Sequence, residues 1–388
     1  MAPVRGFSDA EFVSRTAAAQ ADMAVAGVDG ILLTTEAEIR YFTGFQTLFW
    51  QSPTRPWFVF IPPSGKPIAI IPEIGAALMR RGWLDDIRTW SAPNPTDDGL
   101  SLLVDLLSPL AMRGARLGLM MGHETQLRMP LADYHRLMAA LPELQLADVT
   151  ALVQGLRMIK SAAEIEKIAH ICGIAGQVFA KAGALFHEGQ PLVETFRAFR
   201  RECLALGADD VPYLVGGADQ GGYDDVISPP SDRPLQAGDV LMLDTGAVFD
   251  GYFCDYDRNF AIARADDASR RAYDVLFAAT EAGLAAARPG ATCAEVFRAM
   301  QDVIATLDRG GGDVGRLGHG LGMQLTEQPS LAAFDGCVLR ENMVMTLEPS
   351  LSYGQGRIMV HEENIVIQNG AARQLSPRAP STLPVIGG

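Results

Sequence analysis

Residues 238–262 read GDVLMLDTGAVFDGYFCDYDRNFAI. The apolar run Val240–Leu243 ends at Asp244 and reads as a buried strand. A glycine-containing bend follows, and the return arm from Gly251 to Ile262 carries Asp255. If the two arms pair, both carboxylates can face one point. The pattern recurs roughly a hundred residues on, where Met343–Leu347 ends at Glu348 and residues 358–367, IMVHEENIVI, carry Glu362. Between the hairpins lies Gly318-His319-Gly320. Asp244, Asp255, Glu348, Glu362 and His319 form a hard, anionic donor set, suited to two divalent cations and a bridging hydroxide. Single acids at strand ends ordinarily sit in solvent or cap a neighbour. The mirrored placement is what favours a metal centre.

The mirroring extends beyond the hairpins. Residues 189–198, GQPLVETFRA, match residues 290–299, GATCAEVFRA, at the same offsets. Each decapeptide follows a long helical stretch (162–186 and 268–287) and opens another helix. The region thus reads twice as helix, helix, hairpin, with Asp/Asp in the first copy and Glu/Glu in the second. Two such halves can pack about a pseudo-two-fold axis with both hairpins at the centre. Ser161 and Glu164 form a capping box that starts this region.

The first 155 residues read as a separate α/β domain, with 156–388 as the second. A helix over 9–27 is expected, with Ser8 as N-cap and Glu11 completing a capping box. Strands are expected at 30–34, 57–61, 67–71 and 116–120, and helical stretches at 74–82, 99–112 and 130–141. A further helix carries Ile39, Tyr41 and Phe42 and is closed by Gly44. The segment 49–56, FWQSPTRP, is rich in aromatics and has one Arg. It can either tuck onto its domain or face a substrate or partner, with Trp50 and Arg55 as contacts. His123 and His135 stand alone and are read as ordinary histidines.

The chain has 388 residues and a formal net charge of −14. That charge repels phosphate backbones and anionic membranes, so no nucleic-acid or membrane partner is expected. No apolar leader and no bilayer-length run is visible, which points to a cytoplasmic protein. Five scattered cysteines without a CxxC pair are read as reduced, mostly buried thiols.

Asp244-Thr-Gly, Gly251-Tyr252-x-x-Asp255-x-x-Arg258-x-Phe260, Gly318-His319-Gly320-x-Gly322, Glu327-x-Pro329, Thr346-Leu-Glu348-Pro349 and Glu362-Glu-Asn keep an order that resembles the pita-bread metallopeptidases. That family includes methionine aminopeptidase, prolidase, aminopeptidase P and the metal-free amidinohydrolase creatinase. The added N-terminal domain is similar to the prolidase, aminopeptidase P and creatinase branch. The resemblance implies an α+β fold, a duplicated pita-bread catalytic domain behind a creatinase/prolidase-type α/β domain. It implies a homodimer with two divalent ions, manganese foremost, with cobalt, zinc or iron as alternatives. Asp244 would be a terminal ligand, Asp255 and Glu362 would bridge, and His319 and Glu348 would hold the other ion. Glu348 would also shuttle the proton of the attacking water. Arg258 would orient a bridging carboxylate or hold the fold. The implied reaction is hydrolysis of an Xaa-Pro peptide.

Two departures qualify that implication. The peptidases carry a His before the first Asp, where this chain reads Tyr223-Asp-Asp-Val-Ile-Ser228-Pro-Pro. They carry another seven residues after the metal His, where this chain has Thr326. Thr326, Tyr223 or His361 could substitute, although alternation turns His361 away from Glu362. A small polar metabolite, as in ectoine hydrolase-like or creatinase-like relatives, is the alternative substrate.

Overall fold

The computed structural model describes residues 2–52, 55–308, 315–354 and 356–387. The chain divides into two compact units, Val4–Arg157 and a second from Met158 onward that also takes in the first residues. Gly155 lies inside the helix that ends at this division.

The N-terminal unit contains six strands: β1 (Gly30–Leu33), β2 (Phe58–Ile61), β3 (Ile68–Pro72), β4 (Ile87–Trp90), β5 (Arg116–Leu119) and β6 (Gln145–Asp148). They form one mixed sheet in the order β4-β3-β2-β1-β5-β6. Helices α1 (Asp9–Ala26), α2 (Glu36–Thr43), α3 (Ala76–Met79), α4 (Leu100–Ala111), α5 (Leu131–Ala140) and α6 (Thr150–Met158) complete it. Ser8 caps α1, but Glu11 does not complete the box. Its carboxylate instead takes the Arg15 guanidinium at 2.9 Å, one turn on. β4 and β6 escaped the sequence reading, because IRTW and QLAD lack a long apolar run. The aromatic segment around Trp50 tucks inward. Phe49 and Trp50 pack on Trp57 at 6.2 and 5.7 Å, and Arg128 covers Trp50 at 4.8 Å. Pro53 and Thr54 of that segment lie outside the described residues.

The second unit starts with α7 (Ala162–Phe179), α8 (Ala182–Leu185) and α9 (Leu192–Leu206). The Ser161–Glu164 capping box is formed. The expected single helix over 162–186 is broken near Lys181 into α7 and α8. Next come β7 (Asp210–Gln220), β8 (Asp239–Phe249), β9 (Tyr252–Phe253) and β10 (Tyr256–Ile262). Helices α10 (Asp267–Ala286) and α11 (Cys293–Ile304) lead to β11 (His319–Gly320), β12 (Glu327–Ser330), β13 (Val344–Leu347), β14 (Ser350–Tyr353), β15 (Arg357–Val360), β16 (Glu363–Val366), β17 (Arg373–Gln374) and β18 (Val385–Ile386). One sheet runs β18-β10-β8-β7, with β9 beside β8, and a second runs β12-β11-β13-β16-β17. The second return arm is therefore not one strand. Its first part pairs in the excursion β14–β15, and only Glu363–Val366 pairs back onto β13.

The duplication is written in the backbone hydrogen bonds. Gly189, Leu192 and Val193 donate to Leu235, Arg233 and Ser231, at 2.8, 3.0 and 3.0 Å. Gly290, Cys293 and Ala294 donate to Leu339, Cys337 and Asp335, at 2.9, 2.9 and 3.0 Å. A pair of glycines repeats as well. Gly216 (φ 147°) and Gly318 (φ 137°) each sit where a Cβ would lie 2.1 and 2.3 Å from the carbonyl oxygens of Met242 and Thr346. Aromatic packing of Phe179 and Phe199 with Tyr256 and Phe260 seals α7 and α9 onto the first sheet. Leu276, Val296, Met300, Met345 and Leu347 share the core under α10 and α11.

Candidate metal centre

The two ladders fix the acids. β8 runs through Asp244 instead of stopping there, and Asp244 lies directly across from Asp257 on β10. Asp255 precedes β10 by one residue. Its N–H donates to the Asn364 side-chain oxygen at 2.9 Å, and the Asn364 amide donates back to the Asp255 carbonyl. Glu348 follows β13 and donates its N–H to Leu317 at 2.9 Å. Glu362 precedes β16. Because β10 and β16 come from different halves, both hairpins deliver their acids to one place.

His319 opens β11, opposite Ser330. Its Nδ1 bonds the Gly320 carbonyl at 2.9 Å, which places the proton on Nδ1 and leaves the Nε2 lone pair outward. Nε2 is 3.4 Å from Asp255 Oδ2 and 3.8 Å from Glu348 Oε2. The ligating atoms of Asp255, His319 and Glu362 all lie within 4.8 Å of one another. Burial holds the His319 pKa down to about 4, so its lone pair is available at neutral pH.

The acids repel each other in a dry site. Burial raises Asp244 to about 7, against a hydrogen bond from Tyr213 that works the other way. Burial, then Asp244, raises Glu348 to about 8, although its side chain is 33% exposed and solvent blunts the effect. Asp255 and Glu362 are pushed well above the usual carboxylate range by burial and by their acidic neighbours. Asp244 Oδ1 and Glu362 Oε1 are buried with no hydrogen-bond partner among the described residues. Orphaned carboxylate oxygens, mutual repulsion and a neutral imidazole are what a cation would relieve. The donor set therefore fits divalent metal.

Arg258 sits behind the acids. It donates to the Glu362 carbonyl at 2.9 Å and to Glu363 Oε2 at 3.0 Å, which holds the Glu362–Glu363 backbone in place. Three functional neighbours were missed in the sequence. Asp257 was legible in principle, since Asp255-x-Asp257 shares a strand face. Asn364 stands in the Glu362-Glu-Asn motif, but neither its clamp on Asp255 nor the approach of Tyr213 to Asp244 was legible, because the partners come from distant strands.

Two candidates for the missing imidazoles are corrected. His361 faces the opposite side, against Arg378 at 3.1 Å and in edge contact with Tyr273 and Phe277. Strand alternation is the reason. Tyr223 is buried, and its hydroxyl donates to Asn259 at 2.9 Å and accepts the Val360 N–H at 2.9 Å. It ties strands together and does not reach a ligand. Thr326 remains, half-exposed just before β12. Trp50 and Arg55 lie in the N-terminal unit, with the Arg55 guanidinium 5.2 Å from the Phe49 ring.

Among the described residues no helix is long and apolar enough to cross a membrane.

Comparison with known proteins adds independent findings. The family model for metallopeptidase family M24 matches residues 166–369, and that for the creatinase/prolidase N-terminal domain matches residues 15–159. The chain is 26% identical to the probable dipeptidase PepE of Mycobacterium bovis, over 94% of this chain and 93% of that protein. It is 28% identical to the Xaa-Pro dipeptidase of Pyrococcus furiosus, over 57% of this chain and 64% of that protein. The crystal structure of dipeptidase PepE from Mycobacterium ulcerans superposes with a TM-score of 0.84 at 27% identity, covering 98% of this chain and 99% of that one.

Proposed function

The chain belongs to metallopeptidase family M24, and from that premise we propose that it is a metal-dependent Xaa-Pro dipeptidase or aminopeptidase P-like enzyme. Asp244, Asp255, His319, Glu348 and Glu362 would hold two divalent ions, manganese first among them. The observation that carries this reading is the pair of buried oxygens, Asp244 Oδ1 and Glu362 Oε1, that have no hydrogen-bond partner among the described residues, beside a neutral His319. When bound, the ions supply Lewis acidity, which polarises a carbonyl and lowers the pKa of water toward neutrality.

The side chains divide the remaining work. Tyr213 lies beside Asp244 and acts to lower its pKa against the effect of burial. Asp257 and Arg258 hold the Glu362 backbone. Glu348, its side chain 33% exposed, takes and returns the proton at Oε2, the oxygen facing His319. Thr326 offers its hydroxyl to the developing oxyanion. Trp50 and Arg55 are proposed to select substrate from the N-terminal unit of a homodimer, in the cytoplasm.

The test is hydrolysis of a panel of Xaa-Pro dipeptides. Activity that a chelator removes and Mn(II) restores supports the assignment. No turnover across the panel by fully loaded protein rejects it. The absence of imidazole at position 326 favours a second reading, a hydrolase or lyase of a small polar metabolite on the same scaffold. Metal-dependent turnover of cyclic amidines or small amides, without Xaa-Pro cleavage, would select that one.

A further inference from the structure

The duplicated backbone provides an internal control. In the first half the turn is closed by Leu192, Arg233 and Ser231. In the second half the same hydrogen bonds are made by Cys293, Cys337 and Asp335. Closing the turn therefore requires no thiol and no carboxylate. All three equivalent positions of the second copy carry ligand-type side chains.

We propose that Cys293, Cys337 and Asp335 form a second metal site, for a thiophilic divalent cation of the zinc class, separate from the carboxylate-rich centre. Their ligating atoms all lie within 4.8 Å of one another. Sulfurs in a tetrahedral zinc site are roughly 3.8 Å apart, given bonds of ~2.3 Å, so small side-chain rotations close the set. Cys293 is the first residue of α11, and Thr292 bridges Val338, so Cys293 and Cys337 face each other across an antiparallel pair. Asp335 is held in place. Its two oxygens accept the N–H groups of Cys337 at 2.8 Å and Ser330 at 2.9 Å, and each keeps a free lone pair. The Met158 sulfur lies 4.0 Å from Cys337 Sγ and offers a fourth, soft donor. The interaction between the two thiols pushes the Cys293 pKa up and the Cys337 pKa down. Cys293 is buried and Cys337 half-buried, so an ion can enter from the Cys337 side. Soft sulfur donors select this class over the cations that suit the acid cluster.

The bound ion would pin the 335–337 loop to the start of α11. Ser330 links that loop to the strand pair holding His319.

The experiment uses full-length, reduced, metal-free protein and Cd(II) as the probe. A thiolate-to-cadmium charge-transfer band saturating at a single equivalent is expected. It should vanish in the Cys293→Ser/Cys337→Ser variant and persist in Glu362→Gln, which removes a donor of the other centre. Absence of the band in the unmodified chain would overturn the proposal. So would its survival in the double variant, which would assign it to Cys172, Cys203 or Cys254. Should the double variant fail to fold, Zn(II) should still slow alkylation of Cys337 in the unmodified protein by about tenfold or more. Unchanged alkylation would dismiss the site, as would isolation of a Cys293–Cys337 disulfide under reducing conditions.

Discussion

The Asp257 carboxylate accepts the backbone N–H of Glu362 at 2.5 Å, so an acid of the first hairpin holds an acid of the second in place. The other oxygen of Asp257 accepts from Asn259 at 2.9 Å. Asp257→Ala leaves the buried Glu362 N–H without its acceptor, while the Asn259 amide keeps its bond to the Val360 carbonyl. It should lower stability by about 1–3 kcal/mol, since that is the cost of one unmet buried polar group. Denaturant unfolding measures the loss, and metal content per chain should fall with it because Glu362 is no longer anchored.

Removing one acid of the cluster should have opposite effects with and without metal. Glu362→Gln removes a buried carboxylate from among four acidic neighbours, Asp255, Glu348, Asp244 and Asp257. The metal-free variant should match or exceed the metal-free parent in thermal stability. The parent should gain about 2.7 kcal/mol when Mn(II) exceeds its dissociation constant a hundredfold, and the variant should gain far less. Calorimetry with and without Mn(II) separates the two effects. A variant that is less stable without metal would refute the repulsion argument.

Lys160 and Glu327 form a buried ion pair, 3.1 Å apart, next to the β11–β12 ladder. Lys160→Met removes this buried cation from Glu327, at a cost of up to about 3–5 kcal/mol. The Lys160→Met/Glu327→Leu double variant should recover much of it. A double-mutant cycle on unfolding free energies tests both statements.

Asp266 caps α10, taking the Ser269 N–H at 2.7 Å and the Ser269 hydroxyl at 2.6 Å. Burial acts to raise its pKa, but these hydrogen bonds outweigh it and hold the carboxyl below its usual value. A depressed folded pKa means stability that is present above the unfolded value, near ~3.9, and lost as pH falls through the folded one. Asp266→Ala should therefore cost about 1 kcal/mol at neutral pH, and the gap to the parent should narrow in acid. Parallel melts from pH 7 downward read this directly.

On the proposed role of Thr326, Thr326→His should supply the imidazole donor that this chain lacks. If the peptidase reading is right, kcat on Xaa-Pro substrates should rise by about tenfold or more, since an oxyanion donor is worth ~3 kcal/mol when well placed. A fall in kcat with unchanged metal content would favour the small-metabolite reading.

The sequence showed the duplication and both acid-bearing arms, because local periodicity and repeated offsets carry that information, and of the expected donors the structure gathers Asp255, His319 and Glu362 within 4.8 Å of one another. The sequence did not show what crosses between strands. Asn364 clamps Asp255 from 109 residues away, and Tyr213 reaches Asp244 from a strand with little apolar patterning. His361 was settled by alternation, which the sequence already contained. Tyr223 was not, because its buried hydroxyl is satisfied by Asn259 and Val360, both distant in the chain.

Each lobe of the duplicated unit offers two of the four expected ligand acids, and the imidazole belongs to the second lobe. Neither could assemble the donor set by itself. A half-length forerunner would have had to self-associate face to face before four carboxylates could meet. Joining the halves in one chain makes an association that would depend on concentration a permanent one. The two halves are not bound to stay alike, and one turn carries two thiols where its counterpart has a leucine and an arginine.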